Sequence, residues 1–206
     1  FGRLSIEYHT TNEFRRGGNK FDLEPFETDI TEQTKHVINS GGLTYDLFWK
    51  EYKHKLSFYT SAQHVDRNSY YGAQQDPNAY GKTKDLTFVG GGMYVGNFDK
   101  VLFSPATFTA GLEYSHNNMH DIMAGYNRDL EQKVRIASAF FQNEWKMNDF
   151  TLLAGFRLDD HNLIENLIFS PRVNLLYKPS DALQGRLTWS TGFRAPQAYD
   201  EDLHVT

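Results

Sequence analysis

The sequence predicts an all-β fold, an antiparallel up-and-down meander of about ten strands of the transmembrane β-barrel type. Three observations carry this. Alternation with a period of two recurs along the chain, with one face apolar and aromatic and the other polar and charged. Connections alternate between tight turns and longer polar segments. Aromatic residues make up 15% of the chain, with 16 Phe, 12 Tyr and 3 Trp. That richness suits rings placed at the two interfaces of a bilayer.

Each strand is read from its own pattern. Leu4, Ile6, Tyr8 and Thr10 alternate with Ser5, Glu7 and His9. Residues 26–39 are polar on both faces. Leu43, Tyr45, Leu47 and Trp49 then alternate with Thr44, Asp46, Phe48 and Lys50. Leu56, Phe58, Thr60 and Ala62 follow the same rule. In residues 84–97, Gly90, Gly91, Gly92 and Gly96 mark a bulge or a close approach of backbone. Phe108, Ala110, Leu112 and Tyr114 make a further apolar face. Residues 134–145 are mixed and are assigned to a strand because their neighbours are strands. Leu152, Ala154, Phe156 and Leu158 oppose Thr151, Gly155, Arg157 and Asp159. Val173, Leu175 and Tyr177 oppose Arg172, Asn174 and Lys178. Residues 183–194 put Leu187, Trp189, Thr191 and Phe193 on one face, with Arg186, Thr188, Ser190 and Arg194 on the other. Each strand is expected to run for about 9–11 residues, the span of a tilted transmembrane strand.

Tight turns are expected at 50–54, 146–149 and 178–182, and longer loops at 66–83, 117–132 and 159–168. Two segments break the scheme: 39–42 reads as a short turn at the long-loop end, and 96–105 as a long connection at the short-turn end. Short turns at one end and long loops at the other are the two ends of an outer-membrane barrel.

Composition narrows the alternatives. Only 39% of residues are apolar, and no run approaches the ~20 apolar residues of a membrane-spanning helix. With no cysteine there is no disulfide framework and no thiolate metal site. A net charge of −5 argues against nucleic acid as a partner. The chain begins at Phe1 with no leader, so an internal piece of a longer protein is expected.

Chemistry-bearing residues are sparse. His116, His120 and Asp121 lie in an expected loop with no third ligand at a fixed spacing, and Asp159, Asp160 and His161 enter another. No metal site, cofactor or catalytic residue is expected. Asp159-Asp160 and Asp200-Glu201-Asp202 are adjacent carboxylates that a strand points to opposite faces. No G-x-S-x-G elbow is present, so enzyme activity is not expected. Arg157, Arg172, Arg186 and Arg194 lie on polar faces of successive strands. They either pair with carboxylates inside the barrel or meet an anionic ligand. Tyr70, Tyr71 and Tyr80 lie in a long expected loop with Gly72 and Gly81. They either pack on each other or contact a ligand.

A resemblance rests on the last third. Ser170, Pro171, Arg172, Asn174, Leu175, Tyr177 and Pro179 form an SPR-x-N-L-x-Y-x-P strand. Ser190, Gly192, Phe193, Arg194, Ala195 and Pro196 form an S-x-G-F-R-A-P segment. This resembles the barrel of TonB-dependent outer-membrane receptors. Residues 15–19 and 70–78 resemble it more diffusely. The resemblance implies a barrel of about 22 strands, of which residues 1–206 would be a part, without the N-terminal plug or the closing strand. It also implies residence in the outer membrane of a Gram-negative bacterium and contact with its lipid. The function implied is uptake of a scarce nutrient complex, of ferric siderophore, haem or cobalamin type, energised by TonB through the plug. Ligand contacts are then expected from Tyr70, Tyr71, Tyr80, Arg157, Arg172 and Arg186. Two other readings of the residues are a passive or adhesive outer-membrane barrel and a soluble β-sandwich binding module. The sandwich requires two sheets packed face to face, with Leu175 and Trp189 in a closed core.

Overall fold

The computed structural model describes residues 1–193. Arg194, the Ala195-Pro196 end of the receptor-like motif and the 200–202 carboxylates lie outside the described residues.

Among the described residues, nine strands form one sheet in which every strand pairs, antiparallel, with its neighbours in sequence. They are β1 (Gly2–Gly18), β2 (Ile30–Trp49), β3 (His54–Ala73), β4 (Tyr80–Val101) and β5 (Ser104–Met123). The meander continues through β6 (Arg128–Met147), β7 (Phe150–His161), β8 (Ile168–Ser180) and β9 (Leu183–Ser190). No second sheet packs on this one among the described residues. Trp189 is 58% exposed rather than enclosed, so the sandwich reading falls.

The register carries the alternation across the whole sheet. Residues paired across strands share a face. Leu4, Tyr45, Phe58, Gly92 and Leu112 form one continuous row on the apolar face. Leu152, Leu175 and Leu187 form another further along. The opposite face carries Ser5, Thr44, Tyr59, Gly91 and Glu113 in register, and Arg157 with Ser170. Arg172, paired with Gly155 and Ser190, shares that polar face. Hydrophobic side chains have therefore not been gathered into a core. Ile6, Leu112 and Leu187 are each exposed by two-thirds or more.

Rings tile the apolar face at the turn end. Trp49, His54 and Tyr94 stack, and Phe98 meets His54 edge-on. Phe108, Phe141, Phe156 and Phe169 continue as a chain of ring contacts. On β4 the apolar face runs from Phe88 to Phe98. Ten residues at ~3.4 Å, tilted by ~45°, span ~24 Å along the barrel axis, close to the lipid-facing band of an outer-membrane barrel.

Several sequence expectations are corrected. Residues 39–42 are not a turn, which leaves nine described strands where about ten were expected, within the same meander. Those residues lie inside β2, paired with β1 and β3. Gly41 and Gly42 misled because two glycines punctuate a turn as readily as they serve a close approach. Here a Cβ on Gly42 would lie 2.9 Å from the Glu7 carboxylate, so the glycine makes room for the neighbouring strand's side chain. Most strands are also far longer than expected, with β4 reaching 22 residues. The expected loops at 66–83, 117–132 and 159–168 shrink to 74–79, 124–127 and 162–167. The expected connection at 96–105 is a turn at Leu102 and Phe103 after a register shift between Phe98 and Val101. The ends now separate more cleanly. Turns at 50–53, 102–103, 148–149 and 181–182 share one end, and the longest connection, 19–29, lies at the other.

Candidate functional site

The polar face is the chemically furnished surface, and three clusters organise it. Near the short turns, the Asp46 carboxylate is buried on β2. It accepts hydrogen bonds from Ser57 Oγ at 2.6 Å and Arg3 Nη2 at 2.9 Å. This ties β1, β2 and β3 together across their faces.

The middle cluster spans five strands. Tyr59 reaches from β3 over Gly91 on β4, and its hydroxyl donates to Glu113 Oε2 on β5 at 2.7 Å. Gly91 is required there, because a Cβ would lie 2.6 Å from the Tyr59 hydroxyl oxygen. Arg157 on β7 donates from Nη2 to Glu113 Oε1 at 2.9 Å and from Nε to Asp159 Oδ1 at 2.7 Å. Ser138 on β6 accepts from Arg157 and donates to Asp159. A planar guanidinium with donors in a fixed fork suits two carboxylates on different strands. The cluster is a cross-strand brace.

The third cluster lies toward the longer connections. Asp121 on β5 is 1% exposed. It meets Arg67 on β3 at 3.4 Å and Arg128 on β6 at 3.0 Å. Thr83 on β4 donates to Asp121 and accepts from Arg67 Nε. A hollow of about 370 Å³ opens beside this cluster, lined by His36, Val65, Arg67, Asp85, Asn117 and Met119 among others. A second hollow, of about 440 Å³, borders Phe140, Gln142, Arg157, Ser170, Arg172 and Thr188. Both are lined by polar and apolar groups together.

The expected site residues are split by the fold. Tyr70, Tyr71 and Tyr80 are in strands, not in a flexible loop. Tyr70 is 1% exposed, donates to the Asp76 carbonyl at 2.9 Å and packs edge-on against Tyr80 at 4.8 Å. It anchors the 74–79 connection. Tyr80, opposite Tyr70 in the ladder, is exposed on the same face. Tyr71 points to the polar side, half-buried, and its carbonyl accepts from the Tyr126 hydroxyl. Arg157 is braced as described. Arg172 and Arg186 are exposed on the polar face and make no ion pair among the described residues.

His116 and His120, expected in a loop, are on β5, and His120 meets Asp129 at 2.8 Å. Among the described residues no three His, Asp or Glu side chains could hold a metal ion. In the 19–29 connection, Lys20 donates to Asp29 at 2.9 Å. That hydrogen bond holds the exposed Asp29 carboxyl below its ordinary value.

Sequence reasoning missed Tyr59, Arg67, Glu113 and Arg128, and placed Asp121 in a loop rather than on β5. A signal existed for Arg67: Val65, Arg67, Ser69 and Tyr71 continue the inward set begun at Ser57. It was masked because the outward set turns polar too, at His64, Asp66 and Asn68.

One sheet with an exposed apolar band on one face and laddered charges on the other is a wall segment of a large membrane β-barrel. The model of the family described as TonB dependent receptor-like, beta-barrel, matches residues 2–203, and the chain belongs to this family. Solved structures with a similar fold include the siderophore receptor PirA from Pseudomonas aeruginosa. It is 18% identical with a TM-score of 0.68, over 82% of this chain and 30% of the receptor. A mutant of the ferric enterobactin receptor PfeA from Pseudomonas aeruginosa, in complex with enterobactin, is 17% identical. Its TM-score is 0.65, over 95% of this chain and 34% of the receptor. The outer membrane transporter YddB from Escherichia coli is 10% identical, with a TM-score of 0.60 over 85% of this chain and 27% of that one. The chain thus spans about a third of the length of the solved receptors it matches. No curated protein matches it in sequence.

Proposed function

We propose that this chain is part of the wall of an outer-membrane transporter that takes up an iron chelate of the ferric siderophore type, driven by TonB through a plug. The observation that carries the reading is the two-faced sheet. An apolar band of ~24 Å left exposed by the fold needs lipid to cover it, and a polar face with hollows needs water and solute. The family supports a receptor, and the solved receptors described as binding siderophores support an iron chelate over haem or cobalamin. A purely passive or adhesive barrel has no specific observation in its favour.

Within this reading, the ligand passes the polar face near the longer connections. Tyr71, Arg67 and the hollow beside them form the upper contact. Arg172 and Arg186 supply exposed cations to an anionic chelate or to acidic groups of a plug. Arg157 holds the wall in shape, and Tyr70 supports Tyr71 from behind.

The test is uptake by the full-length receptor in an outer-membrane host lacking its own siderophore receptors. Radiolabelled ferric siderophores of catecholate and hydroxamate types are supplied with and without a working TonB. TonB-dependent accumulation of one class is expected. Accumulation of none, with correct insertion shown by surface proteolysis, overturns the proposal.

A further inference from the structure

Where the β3–β4 ladder runs out, Tyr71 stands half in the sheet and half in the connection above it. The last ladder pair is Tyr70 with Tyr80. One step on, the Tyr71 N–H donates to the Ala79 carbonyl at 3.0 Å. An antiparallel pair that bonds in this way exchanges both groups, carbonyl as well as N–H. Here the Tyr71 carbonyl takes a donor from outside the ladder instead. It accepts from the Tyr126 hydroxyl at 2.5 Å, from a residue 55 positions along the chain. Tyr126 lies in the 124–127 connection between β5 and β6, so it reaches past the end of β4 to make this bond.

A second contact brings Tyr126 there. The Gly125 N–H donates to the Asn78 carbonyl at 3.0 Å and seats one connection on the other. Only glycine allows this approach, because a Cβ on Gly125 would lie 2.7 Å from the Asn78 carbonyl carbon and closer still to its oxygen. Asn127 closes the turn with a left-handed φ of 49°, a conformation that asparagine tolerates. On the other connection, the Asn78 N–H donates to Asp76 Oδ1 at 2.8 Å, and the buried Tyr70 hydroxyl donates to the Asp76 carbonyl at 2.9 Å. The circuit closes on itself: Tyr70 to Asp76, Asn78, Gly125 and Tyr126, then back to Tyr71 beside its start. The Gln74 N–H adds a tie to the Asp29 carbonyl of the 19–29 connection at 2.8 Å.

We infer that Gly125 and Tyr126 are positioning residues for the ligand contact at Tyr71, holding its backbone so that the side chain stands on the polar face in one orientation before the ligand arrives. The inference rests on the siderophore reading above. Tyr71 shares its face with Arg67 of the same strand, above the hollow beside that arginine. Neither Gly125 nor Tyr126 lines the hollow, so each acts through Tyr71. A strand end whose carbonyl has no partner is free to turn, and ordering it on binding costs affinity. A contact that is ordered beforehand avoids that cost.

The experiment uses the full-length receptor in detergent micelles, with fluorotyrosine placed at position 71 and read by fluorine NMR. Ferric enterobactin and ferrioxamine B, as catecholate and hydroxamate probes, are titrated in parallel by calorimetry. Without ligand, the wild type should show one narrow resonance. Tyr126→Phe removes a single oxygen. It should split or broaden that resonance and weaken the bound probe about fivefold, the worth of one hydrogen bond. The thermal midpoint should move by about 2 °C or less. Gly125→Ala should act in the same direction. In a Tyr71→Ala background, Tyr126→Phe should change affinity no further, as a residue acting through Tyr71 requires. Tyr8→Phe removes a comparable hydroxyl bond, to Asn39 on the outward face, and should leave both readouts unchanged. An unchanged affinity or an unchanged resonance in Tyr126→Phe overturns the inference. So does a loss of affinity that persists in the Tyr71→Ala background, which would make the role of Tyr126 direct or merely structural. Should neither probe bind the wild type, the siderophore reading falls; a resonance that still splits in Tyr126→Phe then supports the positioning, and one that does not overturns it as well.

Discussion

Leu112 separates a lipid-facing sheet from a merely exposed one. It lies on β5 opposite Gly92, near the middle of the apolar run from Phe88 to Phe98 on β4. It is 67% exposed, so the protein itself hardly covers it. In water, Leu112→Arg at such a site would change stability by ~0.5 kcal/mol or less. Near a bilayer midplane the same change costs ~2–4 kcal/mol, because the guanidinium must leave water or drag it inward. Thr109, three residues away on the polar face, meets the lumen, and Thr109→Arg should cost well under ~1 kcal/mol. The assay is reversible denaturant unfolding of the full-length receptor in phosphatidylcholine vesicles, comparing both variants with wild type. A Leu112→Arg penalty no larger than that of Thr109→Arg would refute the assignment of faces and the membrane reading built on it.

Four further outcomes are expected. Gly91→Val should destabilise the sheet by ~1–3 kcal/mol by displacing Tyr59 from Glu113, read as a lowered denaturation midpoint; no shift would refute the tight fit. A double-mutant cycle of Arg157→Gln and Glu113→Gln should give a favourable coupling of ~0.5–1 kcal/mol, kept small because Arg157 is 38% exposed on its side chain and the pair is screened; additive effects would dissolve the brace. Tyr71→Ala should weaken siderophore binding several-fold with assembly intact, whereas Tyr70→Ala should cost ~3 kcal/mol of stability, and the reverse pattern in calorimetric titration and unfolding would exchange their roles. The Lys20–Asp29 contact, with the carboxyl held low, should be fully formed above the ordinary value of 3.8 and lost as pH falls through the lower folded value. Hydrogen exchange in the 19–29 connection should rise over that window in wild type and stay flat in Asp29→Asn.

Some of this architecture is local and was legible in the residue order. Period-two alternation is a property of one strand, so the faces of Leu152, Leu175, Leu187, Arg157, Arg172 and Arg186 could be assigned without any partner. The turns around 50–54, 146–149 and 178–182 follow from short polar segments between such runs. What the order of residues left open depends on neighbours. Above the apolar band both faces are polar, and alternation vanishes although the hydrogen-bonded ladder continues. The true ends of β3, β4, β5 and β6 are therefore set by pairing alone. Gly42 read as part of a turn and Gly91 as a bulge or a close backbone approach, and each makes room for a side chain from the next strand. Whether Tyr70 or Tyr71 faces solute is decided by one step of register, which flips every side chain in a strand. The carboxylates that Arg157 and Arg67 meet, Glu113 and Asp121, are 44 and 54 positions away in the chain. Sequence thus determined the two chemistries of this wall; the register of the folded sheet decided which residues stand together on it.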